Sequence, residues 1–376
     1  MVLDKKDSNY RQCSLSVMDN IADPNITFDE KGICNYYYEY LKAENEQVLK
    51  GAEGERKFKE IITQIMADGK GKQYDCILGV SGGVDSTYLA YLAKQEGLRV
   101  LCVHFDNGWN SELAVKNIQS IIEKCGFDLY TYVIDWEEFK DIQLSYLKAN
   151  VIDIEAITDI AIFSALDIIC KEKKIKHILD GRNVVTEITL PNSWVCKNPS
   201  NLKDIHKKFG KIPIKTYPIM SPIRRRLVAR LKPFHSWPLL NYVDYNKEMV
   251  KKLIGLELGW RDYGGKHYES VFTRFYQGYI LPNKFKVDKR KAHLSNLIFS
   301  NQLTKEEALI ELEKPIYPIH LLQTDKEFVC KKLGITQEEL QNYINAPAKM
   351  HSEYALSISL FDEYPILKPF KFIFKK

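Results

Sequence analysis

Val80-Ser81-Gly82-Gly83-Val84-Asp85-Ser86 decides how this chain folds. The run Tyr74–Val80 that precedes it is apolar, and Thr87–Lys94 after it repeats at helical spacing. That order is a strand, a glycine-hinged turn and a helix N-terminus. Two adjacent glycines let the backbone curl without a Cβ clash. The first amides of the helix then face the turn, where the helix dipole also favours an anion. Ser81 and Ser86 add hydroxyl donors. Asp85 suits such a nest only if a cation comes with the anion, as Mg²⁺ does when it bridges a carboxylate and phosphate oxygens. Ser81, Gly82, Gly83, Val84, Asp85 and Ser86 therefore read as a cradle for a magnesium-bound polyphosphate. A turn that merely joins strand to helix is the alternative.

Working outward, strand and helix patterns alternate. A helix is expected over Gly54–Gly69, with Phe58, Ile61, Ile62, Ile65 and Met66 on one face. Further strands are expected at Leu98–Phe105, Leu129–Ile134 and His177–Asp180. Helices fill the gaps, one ending near Gly126 and a long helical region covering about 136–174. This pattern predicts an α/β fold with a doubly wound, mainly parallel sheet. Ligands in such sheets sit beyond the carboxyl ends of the strands. The cradle, Asp106 and the turn Gly181-Arg182-Asn183-Val-Val-Thr-Glu187 all fall on that edge. Asp106 and Arg182 are thus candidates to meet the nucleotide. Glu187 is placed either to share a metal with Asp85 or to cap a helix.

The chain has 376 residues, 45% hydrophobic and 27% charged, with a formal net charge of +5. This is ordinary for a globular protein and does not demand nucleic acid. No secretory signal or membrane span is legible, so a cytoplasmic location with no membrane or nucleic-acid partner is expected. The eight cysteines are scattered and read as reduced thiols.

Three parts are expected: an irregular segment at 1–50, the α/β domain that carries the cradle at 51–225 and a mostly helical region at 226–376. In the first, Cys13 and Cys34 would form a paired zinc knuckle if Ser16 and Tyr37 were also cysteines. Two cysteines rarely hold a structural zinc, so none is expected. Residues 190–225 are proline-punctuated and read as a linker. Arg224-Arg-Arg226 and the basic run Lys284–Lys291 are either solvated faces or phosphate contacts. The turn Gly264-Gly265-Lys266-His267, ahead of an aromatic helix over 271–277, points to a second site element. The alternating tail 367–376 reads as an edge strand.

The cradle is not a Walker A loop, since no Gly-Lys-Ser/Thr ends it. Ser-Gly-Gly-Val-Asp-Ser resembles instead the PP-loop of the N-type ATP pyrophosphatases. That resemblance implies a grip on the β and γ phosphates and a second metal-binding acid after the fourth strand, which Glu187 matches. The order of Val17-Met-Asp-Asn, Ile26-Thr-Phe-Asp-Glu-Lys-Gly-Ile-Cys-Asn-Tyr36, the cradle, Gly181–Glu187, Gly259-Trp-Arg-Asp-Tyr-Gly-Gly-Lys-His-Tyr-Glu269 and Asp288-Lys-Arg-Lys-Ala-His293 resembles the N-acetyl sugar amidotransferases of bacterial O-antigen and pseudaminic- or legionaminic-acid pathways. The resemblance covers about residues 10–320.

It implies ATP-dependent conversion of an N-acetyl group on a nucleotide-activated sugar to an acetamidino group, with Mg²⁺ on Asp85 and Glu187. Lys266 and Arg290 become candidates for stabilising charge at the phosphates. Family members usually carry cysteines at the positions of Ser16 and Tyr37, where this chain departs. No glutaminase signature is present, and position 2 is Val2, so the resemblance implies separate glutaminase and ammonia-channelling subunits. Two rivals remain: a tRNA-modifying PP-loop enzyme, and a non-catalytic ATP-binding subunit. The first calls for a strong basic patch or a catalytic cysteine pair. The second is disfavoured by retention of both Asp85 and Glu187.

Overall fold

The computed structural model describes residues 8–221, 224, 228, 230–231, 234–265 and 268–357. Five strands form one parallel sheet in the order β3-β2-β1-β4-β5. They are β1 (Cys76–Gly79), β2 (Val100–Asp106), β3 (Asp128–Val133), β4 (His177–Leu179) and β5 (His235–Trp237). Cys76 pairs with Val100, Ile77 with Ile178 and His177 with His235. The helices in chain order are α1 (Asn35–Gln47), α2 (Gly51–Gly69), α3 (Val84–Gln95), α4 (Glu112–Cys125), α5 (Trp136–Ala149), α6 (Ala156–Lys173), the single turn α7 (Val184–Glu187) and α8 (Pro199–Phe209). The C-terminal half adds α9 (Lys247–Leu258), α10 (Val271–Phe275), α11 (Arg290–Phe299), α12 (Lys305–Glu313), α13 (Ile319–Leu333) and α14 (Gln337–Asn345).

Strand alternation decides what each face buries. Cys76, Leu78, Val100 and Cys102 pack with Phe58, Ile61 and Ile65 of α2, Leu89 of α3, Ile118 and Ile121 of α4 and Ile254 of α9. The intervening residues Ile77, Leu101, Val103 and Ile178 meet Ile169 and Cys170 of α6. Both faces of the central strands β1 and β2 are covered, which is why these two read as continuous apolar runs. The sheet extends past residue 225, because β5 is taken from the C-terminal half and pairs with β4.

Three stretches differ from the sequence expectation. The N-terminal 50 residues are not wholly irregular: α1 buries Tyr36 and Tyr40 in a second core shared with Phe139 of α5 and Phe299 of α11. The helical region 136–174 is two helices, broken where Asn150 takes a left-handed φ of 59°. There the Asp153 carboxylate accepts the Cys196 amide at 2.7 Å. The aromatic helix at 271–277 widens after Phe275 into a π-helix, Tyr276–Phe285, with Pro282 inside it. The tail 367–376 lies outside the described residues. No helix among the described residues is long and apolar enough to cross a membrane.

The proline-punctuated segment is also tied down. It contains α8, whose N-cap Asn198 accepts the Ser200 amide at 2.8 Å. Two buried carboxylates on α5 hold the backbone that leaves α8. Glu138 accepts the amides of Lys215 at 3.0 Å, Thr216 at 2.9 Å and Tyr217 at 2.8 Å. Asp141 accepts those of Lys211 at 2.8 Å and Ile212 at 3.1 Å, and meets His206 at 3.0 Å. Burial pushes the Asp141 pKa up, but the two amides and His206 outweigh it and hold the pKa below the usual carboxylate value. A depressed carboxylate contributes stability above its unfolded pKa of about 4, and that contribution fades as acid protonates it. Replacing Glu138 by Ala takes the acceptor from three amides, that of buried Tyr217 among them, so a loss of about 2 kcal/mol is expected in urea unfolding at neutral pH. For Asp141→Asn, the stability difference from the native protein is expected to shrink as pH falls below about 4.

Candidate active site

Gly82 stands at φ +79°, which only glycine adopts without strain. A Cβ there would lie 2.7 Å from the Tyr263 hydroxyl and 2.9 Å from the Ala114 carbonyl. The Gly82 carbonyl accepts the Trp260 indole N–H and the Tyr263 hydroxyl, both at 2.8 Å. Gly83 is the cap residue of α3 and offers no side chain to the amides of the first turn. Its carbonyl accepts the hydroxyls of Ser86 at 3.2 Å and Thr87 at 2.7 Å, while its amide donates to Ser81 Oγ at 3.3 Å. Ser81 and Ser86 hydroxyls lie 3.5 Å apart. The curled backbone is thus held from outside by two ring donors, with its helix amides facing the turn.

Asp85 and Glu187 both act on Tyr245. Asp85 Oδ1 accepts the Tyr245 hydroxyl at 2.5 Å and the Asn183 amide at 3.4 Å. Burial, then the charge of Asp85 and that of Glu187, push the Tyr245 pKa far up, so both carboxylates act on one hydroxyl. Mg²⁺ takes one or two protein carboxylates and completes its shell with phosphate and water, and Asp85 and Glu187 are the residues that would supply them here. Among the described residues no group of three or more His, Cys, Asp or Glu is arranged to hold a metal. Asn183 caps the α7 turn through the Thr186 amide at 2.8 Å. Asn241 accepts the Val184 amide at 3.0 Å, and Asn296 donates to the Val185 carbonyl at 2.8 Å. The turn that carries Glu187 is therefore braced by two buried asparagines from the C-terminal half.

Asp106 ends β2 and organises its own loop. Its Oδ1 accepts the Gly108 amide at 2.8 Å and the Asn110 side chain at 3.0 Å. Asn110 also lies 3.1 Å from His104 Nε2, and His104 Nδ1 lies 3.2 Å from the Val80 carbonyl. Since a carbonyl only accepts, Nδ1 carries the proton. A cavity of about 600 Å³ opens here, lined by His104, Asp106, Asn110, Val115, Ile122 and Leu129, among others.

Two candidates are engaged elsewhere. Arg182 lies beside the cradle turn, but its Nε donates to Asp180 at 2.8 Å, and its guanidinium sits 5.9 Å over the Phe163 ring. The structure does not bring Arg290 to the phosphate cradle. Its fork bonds Asp288 at 2.8 Å and the Lys314 and Glu311 carbonyls at 2.9 and 3.1 Å, closing the C-terminal end of α12. The surrounding basic run is also used internally. Lys284 donates to the Asn150 side chain and to two carbonyls near the end of α14, Lys289 to Glu155, and Lys291 to Asp19. Arg224 pairs with buried Asp167 at 2.7 Å. Lys266, His267, Arg225 and Arg226 lie outside the described residues.

Cys13, Cys34 and Ser16 meet in one buried corner. The Cys34 amide donates to Cys13 Sγ at 3.3 Å. The neighbouring Cys34 thiol lowers the Cys13 pKa, while that of Cys34 is pushed up by the Cys13 sulfur and by burial. Tyr37 packs its ring 5.4 Å from that of Phe299.

Tyr245, Trp260, Tyr263, Asn241 and Asn296 carry no sequence motif of their own. Of these five, Trp260 and Tyr263 alone fall within Gly259–Glu269, a stretch whose glycine turn does mark it in the sequence.

The parallel sheet and glycine cradle define the class, a PP-loop domain. Residues 75–218 match the family model of the queuosine biosynthesis protein QueC. Residues 269–365 match the C-terminal domain of WbpG-like LPS biosynthesis proteins. The first half of the chain is thus similar to a PP-loop protein and the second to the C-terminal domain of WbpG-like proteins.

A tRNA(Ile)-lysidine synthase of Chlamydia pneumoniae is 37% identical over 71 residues, 18% of this chain and 22% of that protein. A 7-cyano-7-deazaguanine synthase of Campylobacter jejuni subsp. jejuni serotype O:2 is 37% identical over 75 residues, 20% of this chain and 34% of its own. The matches thus span about a third or less of these curated relatives. Among solved structures, an NH3-dependent NAD synthetase from Campylobacter jejuni aligns over 70% of this chain and 97% of its own, with TM-score 0.32 and 14% identity. An NMN synthetase from Francisella tularensis aligns over 35% of this chain and 55% of its own, with TM-score 0.28 and 16% identity.

Gly82→Ala meets both a forbidden φ and two close oxygens, so a stability loss of at least about 1–2 kcal/mol is expected, read from thermal or urea unfolding. Tyr245→Phe removes a bond to Asp85 while keeping the ring. It is expected to weaken magnesium pyrophosphate binding by about tenfold in calorimetry, with the melting temperature little changed.

Proposed function

We propose that the protein is an ATP-dependent, AMP-forming amidotransferase that converts an N-acetyl group of a nucleotide-activated sugar to an acetamidino group in surface-glycan biosynthesis. One observation carries this reading. Asn296, inside the WbpG-like region, holds the turn that carries Glu187, whose charge acts with that of Asp85 on the Tyr245 hydroxyl. The part of the chain resembling glycan-pathway proteins thereby helps to build the nucleotide site.

The chemistry suits the cradle. An amide oxygen is a poor leaving group, and adenylation repairs that. The acetamide oxygen attacks the α-phosphorus, the bond from that phosphorus to the bridging oxygen breaks, and pyrophosphate leaves. Ammonia adds to the carbon of the O-adenylated imidate. The C–O bond to AMP then breaks, leaving the amidine after proton loss. Ser81, Ser86 and the α3 amides hold the leaving pyrophosphate through bonds that cost no reorganisation when charge develops. Mg²⁺ held by Asp85 and Glu187 supplies positive charge for the phosphate oxygens. The cavity beside Asp106 has apolar walls and a polar end, which suits the adenosine of ATP. Ammonia comes from a separate glutaminase through a channelling partner.

The test is release of AMP and pyrophosphate from ATP with ammonium and a panel of UDP- and CMP-linked N-acetylated sugars, followed by product mass. Sugar-dependent release with oxygen replaced by NH is expected. Release that depends on tRNA instead, or on no acceptor in the panel, overturns the reading. Asp85→Asn is expected to lower turnover at least about a hundredfold.

A further inference from the structure

Lys332, on α13, is far in sequence from the nucleotide cradle, yet it reaches the loop that carries Asp106. Its ammonium donates to the Gly108 carbonyl. It also lies 5.1 Å from the Trp109 ring centroid, 4.8 Å from Trp136 and 5.6 Å from Phe328. Three rings and a carbonyl enclose one cation, an arrangement that favours charge over a neutral side chain. Burial lowers the lysine's pKa on balance and the Asp106 charge opposes that shift, so the ammonium and the Asp106 carboxylate sense each other across the loop.

The bonds beyond Gly108 run toward the cradle without a gap. The Gly108 amide donates to Asp106, which accepts from Asn110. Asn110 meets His104, and His104 bonds the carbonyl of Val80, the residue before Ser81. Gly108 sits at φ +79°, and a Cβ there would come within 3.2 Å of the Trp136 ring and 3.3 Å of the Lys332 nitrogen. The loop is thus shaped to receive the ammonium. Its far end is tied to the C-terminal half as well, through the Ser111 amide to the Glu269 carbonyl at 2.8 Å and the Val271 amide to the Trp109 carbonyl at 2.9 Å.

We propose that Lys332 is a positioning residue that locks the 106–110 loop, and with it the Asp106 wall of the nucleotide cavity, so that nucleotide binding depends on α13. This rests on the ATP reading for its functional half and on the loop geometry alone for its structural half. An arginine retains the cation and the donors. A methionine retains the apolar stem against the rings and loses both.

Lys332→Met and Lys332→Arg in the full chain separate the possibilities. Hydrogen–deuterium exchange over residues 104–112 reads the lock directly. Calorimetry with MgATP reads its consequence, and the melting temperature controls for global damage. Expected for Lys332→Met are faster exchange confined to 104–112 and MgATP affinity about tenfold weaker, with Lys332→Arg recovering most of both. Unchanged exchange in Lys332→Met overturns the lock. Affinity that falls in both variants in step with the melting temperature overturns the positioning role in favour of plain packing. Absence of MgATP binding in the native protein sinks the ATP reading and the binding half of the proposal, while the exchange comparison still decides the lock.

Discussion

The carbonyl of Gly82 accepts two hydrogen bonds from aromatic side chains, and the site depends on that grip. A loop with φ +79° at its hinge has no helix or strand ladder to hold it. Trp260 and Tyr263 supply the missing constraint. They are themselves seated on α4, where Asn117 exchanges bonds of 2.9 and 3.0 Å with the Arg261 backbone. The orientation of one peptide group therefore passes through an indole, a phenol and an asparagine into the body of the sheet. Such external bracing gives preorganisation, since the groups that meet the phosphates need not find their places when it binds.

The same logic recurs at each part of the site. Tyr245 holds Asp85, Asn241 and Asn296 hold the Glu187 turn, and Lys332 holds the Asp106 loop. The N-terminal half brings the reactive groups and the C-terminal half brings their supports. The supports are buried or half-buried and uncharged apart from Lys332, so they fix position while adding little competing charge near the anion.

The glycine cradle, the strand–helix alternation and the carboxyl-edge placement of Asp85, Asp106 and Glu187 were legible in the chain because they follow from local pattern and the parallel-sheet rule. The supports were not, because Tyr245 or Asn296 looks like any other residue of its kind until the tertiary fold brings it 160 or 111 positions along the chain to its partner. The basic run at 284–291 shows the opposite failure. Its charges read as a solvated face or a phosphate contact, but the fold uses them to close helix ends and to neutralise Glu155 and Asp19. Composition cannot tell a solvent-facing lysine from one that caps a helix two elements away. The broken proline segment misled for a related reason: its order comes from Glu138 and Asp141, which lie outside it.

β5 carries a further consequence. His235–Trp237 pairs with β4 along its whole length, and the Asp180 amide extends the pairing by donating to the Trp237 carbonyl at 3.0 Å. Trp237 also donates its indole N–H to His177 at 3.0 Å. A fragment cut between the cradle-bearing half and the rest would strip this strand away and leave His177-Ile178-Leu179 as a bare, apolar sheet edge. Such edges recruit other chains. The two halves are thus a poor pair to express apart, and in a nascent chain β4 must wait for about 60 more residues before its outer edge is covered.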